Sequence, residues 1–185
     1  MIMNNWKIRK TKTYNNLDVT VLDVADHMRI PTDEDGDKTY IEDTIQDAYE
    51  YAEGFIDKDI LPTVNTYTEY SFSGQYIYIE EGNFISATTI TYTDDSVSKS
   101  IAVSGCTIED NDRKISIKLP SSLTDVDKIV VVFRSGMSTP IPKKLQRAIK
   151  VIAADMYHSE RSSYNTNYII RGDVTERLLR SFKKY

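Results

Sequence analysis

The chain has 185 residues, 40% of them hydrophobic, with 23 Lys and Arg against 28 Asp and Glu and a net charge of −5. This is the composition of an ordinary globular protein of about one domain's length, and 7 glycines and 5 prolines exclude a collagen-like or linker chain. One cysteine, Cys106, and two histidines, His27 and His158, leave no internal disulfide, no cysteine-built zinc site and little for histidine chemistry.

Residues 1–16 hold Lys7, Arg9, Lys10 and Lys12 but no apolar core of a signal peptide. They read as a flexible N-terminal arm awaiting a partner. No apolar run is long enough to span a bilayer, so the expectation is no membrane and assembly in the cytoplasm.

Residues 17–61 read as two helices. Thr20 followed by Asp23 is a capping-box-like start, after which Val21, Val24, Ala25 and Met28 share one face. Pro31 and the acidic residues 32–37 break the pattern. A longer helix over 38–57 then carries a stripe of Ile41, Ile45, Ala48, Tyr49, Ala52, Phe55 and Ile56 at spacings of three and four. From 62 to 136 the period changes to two: five or six short β-branched or aromatic runs lie between turn-rich pieces such as Glu81-Gly82-Asn83 and Asp94-Asp95-Ser96. They predict an antiparallel sheet or a small sandwich or barrel.

Residues 137–185 return to helix. Pro140 and Pro142 sit at the entry, where a missing N–H costs nothing. Ile141, Leu145, Ala148, Ile149, Ile152, Ala153, Met156 and Tyr157 form the next stripe. A polar segment leads to a last short helix, whose Val174, Leu178, Leu179 and Phe182 share a face. The predicted fold class is α+β: a small helical bundle of two N-terminal and two C-terminal helices with an antiparallel β insertion in the middle, residues 17–185 forming one domain.

Charge is segregated along this order. Residues 1–12 carry +4, residues 13–60 carry −11, residues 61–133 carry −5 and residues 134–185 carry +7. The acidic and basic helix pairs can attract each other within one chain or between copies in a head-to-tail ring, and the basic tail can face phosphate. Ordinary solvated helix faces account for the same numbers. The 13 tyrosines against 5 phenylalanines and one tryptophan predict contact surface, several of them at interfaces between chains, because the ring packs while its hydroxyl stays wet.

The residues show no catalytic set, no metal site and no cofactor motif. The acidic TDEDGDK loop has a calcium loop's composition, but its glycine comes too early and no correctly placed Glu follows. Phosphate-cradling glycine loops, G-x-S-x-G and H-E-x-x-H are missing. His27 and His158 read as structural or exposed, and Cys106 as a small buried hydrophobe. Arg171-Gly172-Asp173 looks like an adhesion motif, yet Asp173 as N-cap with Glu176 completing a capping box explains it locally.

Three stretches resemble the head–tail connector (adaptor) proteins of tailed bacteriophages, which dock beneath the portal. The first is residues 19–56, with the phrase His27-Met28-Arg29-Ile30, an Asp-rich turn and an amphipathic helix. The second is Pro140-Ile141-Pro142 leading into a helix that closes on Tyr157 and Arg161. The third is the terminal helix with paired leucines and basic residues. Together they cover about half the chain, the two helical flanks; the fuller β region at 62–136 and the N-terminal arm depart from the family's pattern.

The resemblance implies a non-enzymatic structural protein of the virion, at the portal vertex. Such proteins form a ring, commonly of twelve copies, that joins head to tail, extends the DNA channel and bears on viral genome ejection. Its implied partners are other copies of itself, the portal protein, tail or further connector proteins, and DNA in the channel. It assigns Asp173, Val174, Leu178, Leu179, Phe182 and Tyr185 to a portal or subunit interface, against the simpler possibility that the apolar ones close the monomer's own core. Lys143, Lys144, Arg147 and Lys150 are candidates to face DNA in the channel. The alternative is a carbohydrate- or receptor-binding β module of a phage tail on a helical base, with Tyr67, Tyr70, Tyr76 and Tyr78 as a stacking platform.

Overall fold

The computed structural model describes residues 6–14, 17–31, 35–111, 114–161 and 172–183. The chain divides into two compact units. A sheet unit takes Leu61–Met137 with the N-terminal segment up to Thr13, and a helical unit takes Tyr14–Ile60 with Ser138–Lys184.

The sheet unit holds six antiparallel strands: β1 (Trp6–Lys12), β2 (Thr63–Ile79), β3 (Phe84–Asp94), β4 (Val97–Ile101), β5 (Thr107–Asp110) and β6 (Ile115–Ser135). Their order is β1-β2-β6-β3-β4, with β5 also on β6. The 21-residue β6 pairs with β2 along its whole length; on its other side β5 meets its first part and β3 its second. β3 and β4 are joined through Asp95 and Ser96, both at positive φ (47° and 66°), the backbone of a two-residue type I′ hairpin turn.

The pleat sends alternate residues inward. Tyr67, Phe72, Ile77 and Ile79 of β2 meet Ile90 of β3 and Ile115, Ile117, Leu119, Val126, Ile129, Val131 and Phe133 of β6 in one buried cluster. Every member is a strand residue, so the sheet itself covers much of this core. Register shifts at Phe72, Gly74 and Tyr76, with Ser71 and Gly74 at positive φ, provide the local bends. Cys106 follows a single 3₁₀ turn (Val103–Gly105) and is half-buried against the cluster, where burial raises its thiol pKa.

The helical unit holds α1 (Val21–Met28), α2 (Asp35–Ile56), α3 (Lys143–Arg161) and α4 (Gly172–Leu179). Thr20 and Asp23 form the expected capping box at α1: Thr20 Oγ1 accepts from the Asp23 N–H at 3.2 Å, and Asp23 Oδ2 accepts from the Thr20 N–H at 3.1 Å. Ile41, Ile45, Ala48, Tyr49, Ala52 and Ile56 of α2 are buried, as are Leu145, Ala148, Ile149, Ile152, Ala153 and Tyr157 of α3, and the two helices pack together. Fully burying one such aliphatic side chain contributes roughly 1.5–3 kcal/mol. Ahead of α3, Pro142 O accepts from the N–H groups of Leu145 and Gln146, so the proline does sit at the helix entry.

Two expectations are corrected. The fold is α+β but mostly antiparallel sheet, with six strands and four helices among the described residues, so a helical bundle carrying a central β insertion does not describe it. The physical reason is that residues of turn-forming type lie inside long strands. β2 runs 17 residues straight through Ser71, Ser73 and Gly74, and β6 runs through Pro120, Ser121, Ser122 and Asp125. The other concerns the N-terminal arm. Its residues Trp6–Lys12 form β1, paired residue for residue with Glu69–Thr63 of β2. Trp6 stacks on Tyr67, ring centroids 6.1 Å apart.

Candidate functional site

Two of the groups of residues that the sequence singled out lie in the helical unit. In α4 the side chains divide by face. Thr175 and Leu179 are buried, Leu178 is half-buried, and Val174 is exposed. Phe182, in the 3₁₀ turn that ends the helix (Arg180–Phe182), is half-buried. α4 packs mainly on α3. Leu179 therefore belongs to the monomer's own core, whereas Val174 is available at the surface. The helix starts at Gly172, two residues earlier than a cap at Asp173 would need. The side chain of Asp173, and Tyr185, lie outside the described residues.

The basic group lies along α3. Lys143, Lys144 and Arg147 are exposed, and spacings of four and three place Lys143, Arg147 and Lys150 along one helix face. Lys150 Nζ lies 3.4 Å from Asp23 Oδ1, so this cation is engaged by α1, and Lys144 Nζ donates to Ser181 Oγ at 2.9 Å. The Asp23 carboxyl is held below the ordinary 3.8: burial alone would raise it, but hydrogen bonds from Thr20 and the Lys150 ammonium outweigh that. Part of the charge opposition is thus satisfied within one copy.

A cleft that the sequence did not reveal lies beside α1. Tyr14, Leu17, Val21, Leu22, Glu42 and Gln46 are among its walls, and its volume is about 430 Å³. Leu22 is 60% exposed. Glu42, Asp43, Asp47 and Glu50, all exposed, continue the acidic side along α2. Tyr14 donates its hydroxyl to Glu50, and its pKa is pushed up to about 12, first by burial and then by the hydrogen bond to and charge of Glu50, with Glu53 and Asp47 adding. Leu22 was the available signal: a large apolar residue off the Val21/Val24/Ala25/Met28 stripe.

The sheet unit offers a third surface. Tyr76 and Tyr78 are exposed on β2 with parallel rings, centroids 6.2 Å apart at 8°, and the ammonium groups of Lys118 and Lys114 lie over them at 5.8 and 4.3 Å. Tyr70 is also exposed, with Lys7 over its ring at 5.6 Å. Tyr67 is not part of any open platform: it is buried, its hydroxyl donates to Glu69 at 2.8 Å, and its pKa is raised chiefly by burial. His27 is exposed in the last turn of α1, and His158 sits edge-on to Tyr157.

No family model matches this chain, and no curated protein matches it in sequence. Its fold, however, is shared by solved structures over almost its whole length. A chain in the neck of an empty GTA particle computed with C6 symmetry superposes with a TM-score of 0.73 at 16% identity, covering 97% of this chain and 96% of that one. A chain in the virion of a native gene transfer agent (GTA) particle gives 0.73 at 14% identity over 96% and 95%. A chain in the neck of a native GTA particle computed with C12 symmetry gives 0.70 at 12% identity over 97% and 96%. At these identities the likeness is one of fold.

Proposed function

We propose that this chain is a structural, non-enzymatic component of the neck of a phage-like virion, a subunit of a ring beneath the portal that joins head to tail and extends the DNA channel. The observation that carries this reading is the near-complete fold correspondence with neck chains, both sheet and helical units included. The C6 and C12 symmetry of those necks favours a ring, with twelve copies the natural number. Segregated charge on the helices supports heterologous contacts between copies. The portal protein, tail or further connector proteins and channel DNA are the proposed partners. Val174 of the terminal helix is the residue of the predicted interface best placed for such a contact. Lys143, Lys144 and Arg147 are the cations proposed to face DNA, since Lys150 already pairs with Asp23.

Native mass spectrometry of the purified chain, alone and mixed with the portal protein of the same particle, tests this. The expected result is a closed oligomer, formed freely or on the portal. A chain that remains monomeric in both conditions rejects the ring.

The exposed, parallel Tyr76–Tyr78 pair favours a second reading, a carbohydrate- or receptor-binding β module of a phage tail. A glycan array separates the two. Binding that disappears in a Tyr76→Ala/Tyr78→Ala chain supports the module, and no binding by the intact chain removes it.

A further inference from the structure

We propose that the acid-rimmed cleft beside α1 receives the outward stripe of α4 from a second copy of this chain, so that these two surfaces form a contact between neighbouring subunits. The inference rests on the ring reading and names the surfaces that would build it.

The cleft has an apolar floor and wall from Leu17, Val21, Leu22 and Ile45 and an acidic side from Glu42, continued by Asp43 and Asp47 on α2. A volume of about 430 Å³ exceeds that of ten waters at about 30 Å³ each, so it has room for more than one aliphatic side chain. Leu22, 60% exposed, joins Leu17, Val21 and Ile45 among the apolar residues that line it.

The occupant is argued from charge and spacing. On α4, Thr175 and Leu179 face inward, which leaves Val174, Arg177 and Leu178 together at spacings of three and four, with Val174 and Arg177 exposed and Leu178 half-buried. This is a short apolar stripe edged by a cation, the complement of an apolar cleft edged by carboxylates. The segments that carry them are the oppositely charged ones, −11 over residues 13–60 and +7 over 134–185.

The proposed contact runs between copies. Lys183 Nζ, just beyond α4, lies 5.1 Å from the Phe55 ring centre, near the C-terminal end of α2, whereas the cleft is lined by Glu42, Ile45 and Gln46. Nine residues separate Gln46 from Phe55, about 14 Å of helix at 1.5 Å per residue. Among the described residues the cleft is lined by α1, α2 and the segment ahead of α1, whereas α4 packs mainly on α3, so one copy presents the stripe and the cleft at different places, as a heterologous, ring-closing contact requires.

Two measurements on the full chain test this, in a Cys106→Ser background and under the conditions in which the protein assembles. Leu22→Cys and Val174→Cys in the same chain should give disulfide-linked multimers on mild oxidation, with neither single cysteine giving a ladder. Separately, Glu42→Lys should weaken assembly severalfold, and adding Arg177→Glu should restore it. Assembly at unchanged affinity in Glu42→Lys, or assembled rings that never cross-link, overturns the inference and leaves the ring standing. A chain that stays monomeric with and without portal protein removes the ring reading and this contact with it.

Discussion

Gly136 and Gly54 show how far a single added side-chain atom, Cβ, decides what a position tolerates. At Gly136 φ is +132°, and an added Cβ would lie 2.8 Å from Leu61 O and 3.2 Å from Pro62 Cα, backbone that cannot swing away. Gly136→Ala is expected to destabilise the protein by about 2 kcal/mol or more in urea unfolding, from strain and clash together. Gly54 lies within α2 with nothing within 4 Å of its Cβ position, so Gly54→Ala should stabilise by about 0.5–1 kcal/mol in the same assay. Asp23 adds a pH dependence whose sign follows from its lowered pKa. Its contribution is complete above the ordinary carboxyl value of 3.8 and is lost as pH falls through the lower folded value. The melting temperature of Asp23→Ala should therefore lie below that of the parent near neutral pH, and the gap should close in strong acid. An acid-independent gap would assign the loss to packing instead. The Thr20–Asp23 box was legible because capping is local chemistry four residues long. The cleft was not, because Leu17, Leu22 and Glu42 meet only once α1 and α2 are docked.

The same division holds for whole elements. Both long helices could be read nearly to their ends, because a stripe at spacings of three and four repeats over five turns and tolerates one odd residue. Strands gave a weaker signal. Period two survives only a few residues before a bulge shifts it, and β2 and β6 each cross such irregularities without ending. β1 was hidden differently: its inward residue Ile8 and stacked Trp6 do alternate, but four basic residues among seven look like a solvated arm. Those cations suit an edge strand, where Lys and Arg discourage pairing with stray chains. Deleting residues 1–12 removes seven paired residues and uncovers the edge of β2 over Thr63–Glu69. We expect a stability loss of about 2–4 kcal/mol, at roughly 1 kcal/mol net for each ladder hydrogen bond, together with concentration-dependent aggregation by light scattering. A truncated chain as stable and as monodisperse as the parent would show that β1 is dispensable.

For the molecule as a whole, the net charge of −5 resides in one unit. In the sheet unit, the four bases of residues 1–13 cancel the excess of ten acids over six bases in residues 61–137. The helical unit carries the entire imbalance, as strong opposition between an acidic N-terminal half and a basic C-terminal half. Within one copy, Lys150 with Asp23 uses a little of that opposition, while Glu42, Asp43 and Asp47 on α2 and Arg177 on α4 remain at the surface. If subunits associate through those surface charges, salt must weaken assembly. The Debye length falls from about 10 Å at 0.1 M to about 3 Å at 1 M, which screens pairs at an interface rim while leaving buried apolar contacts intact or strengthened. Mass photometry across that range should show rings at low salt giving way to smaller species at high salt, whereas the melting temperature of the monomer changes little, because its cores are apolar strand and helix residues. Rings that persist unchanged at 1 M would mean that apolar burial alone holds the copies together, and the exposed tyrosines of β2 would then be the surface to test next.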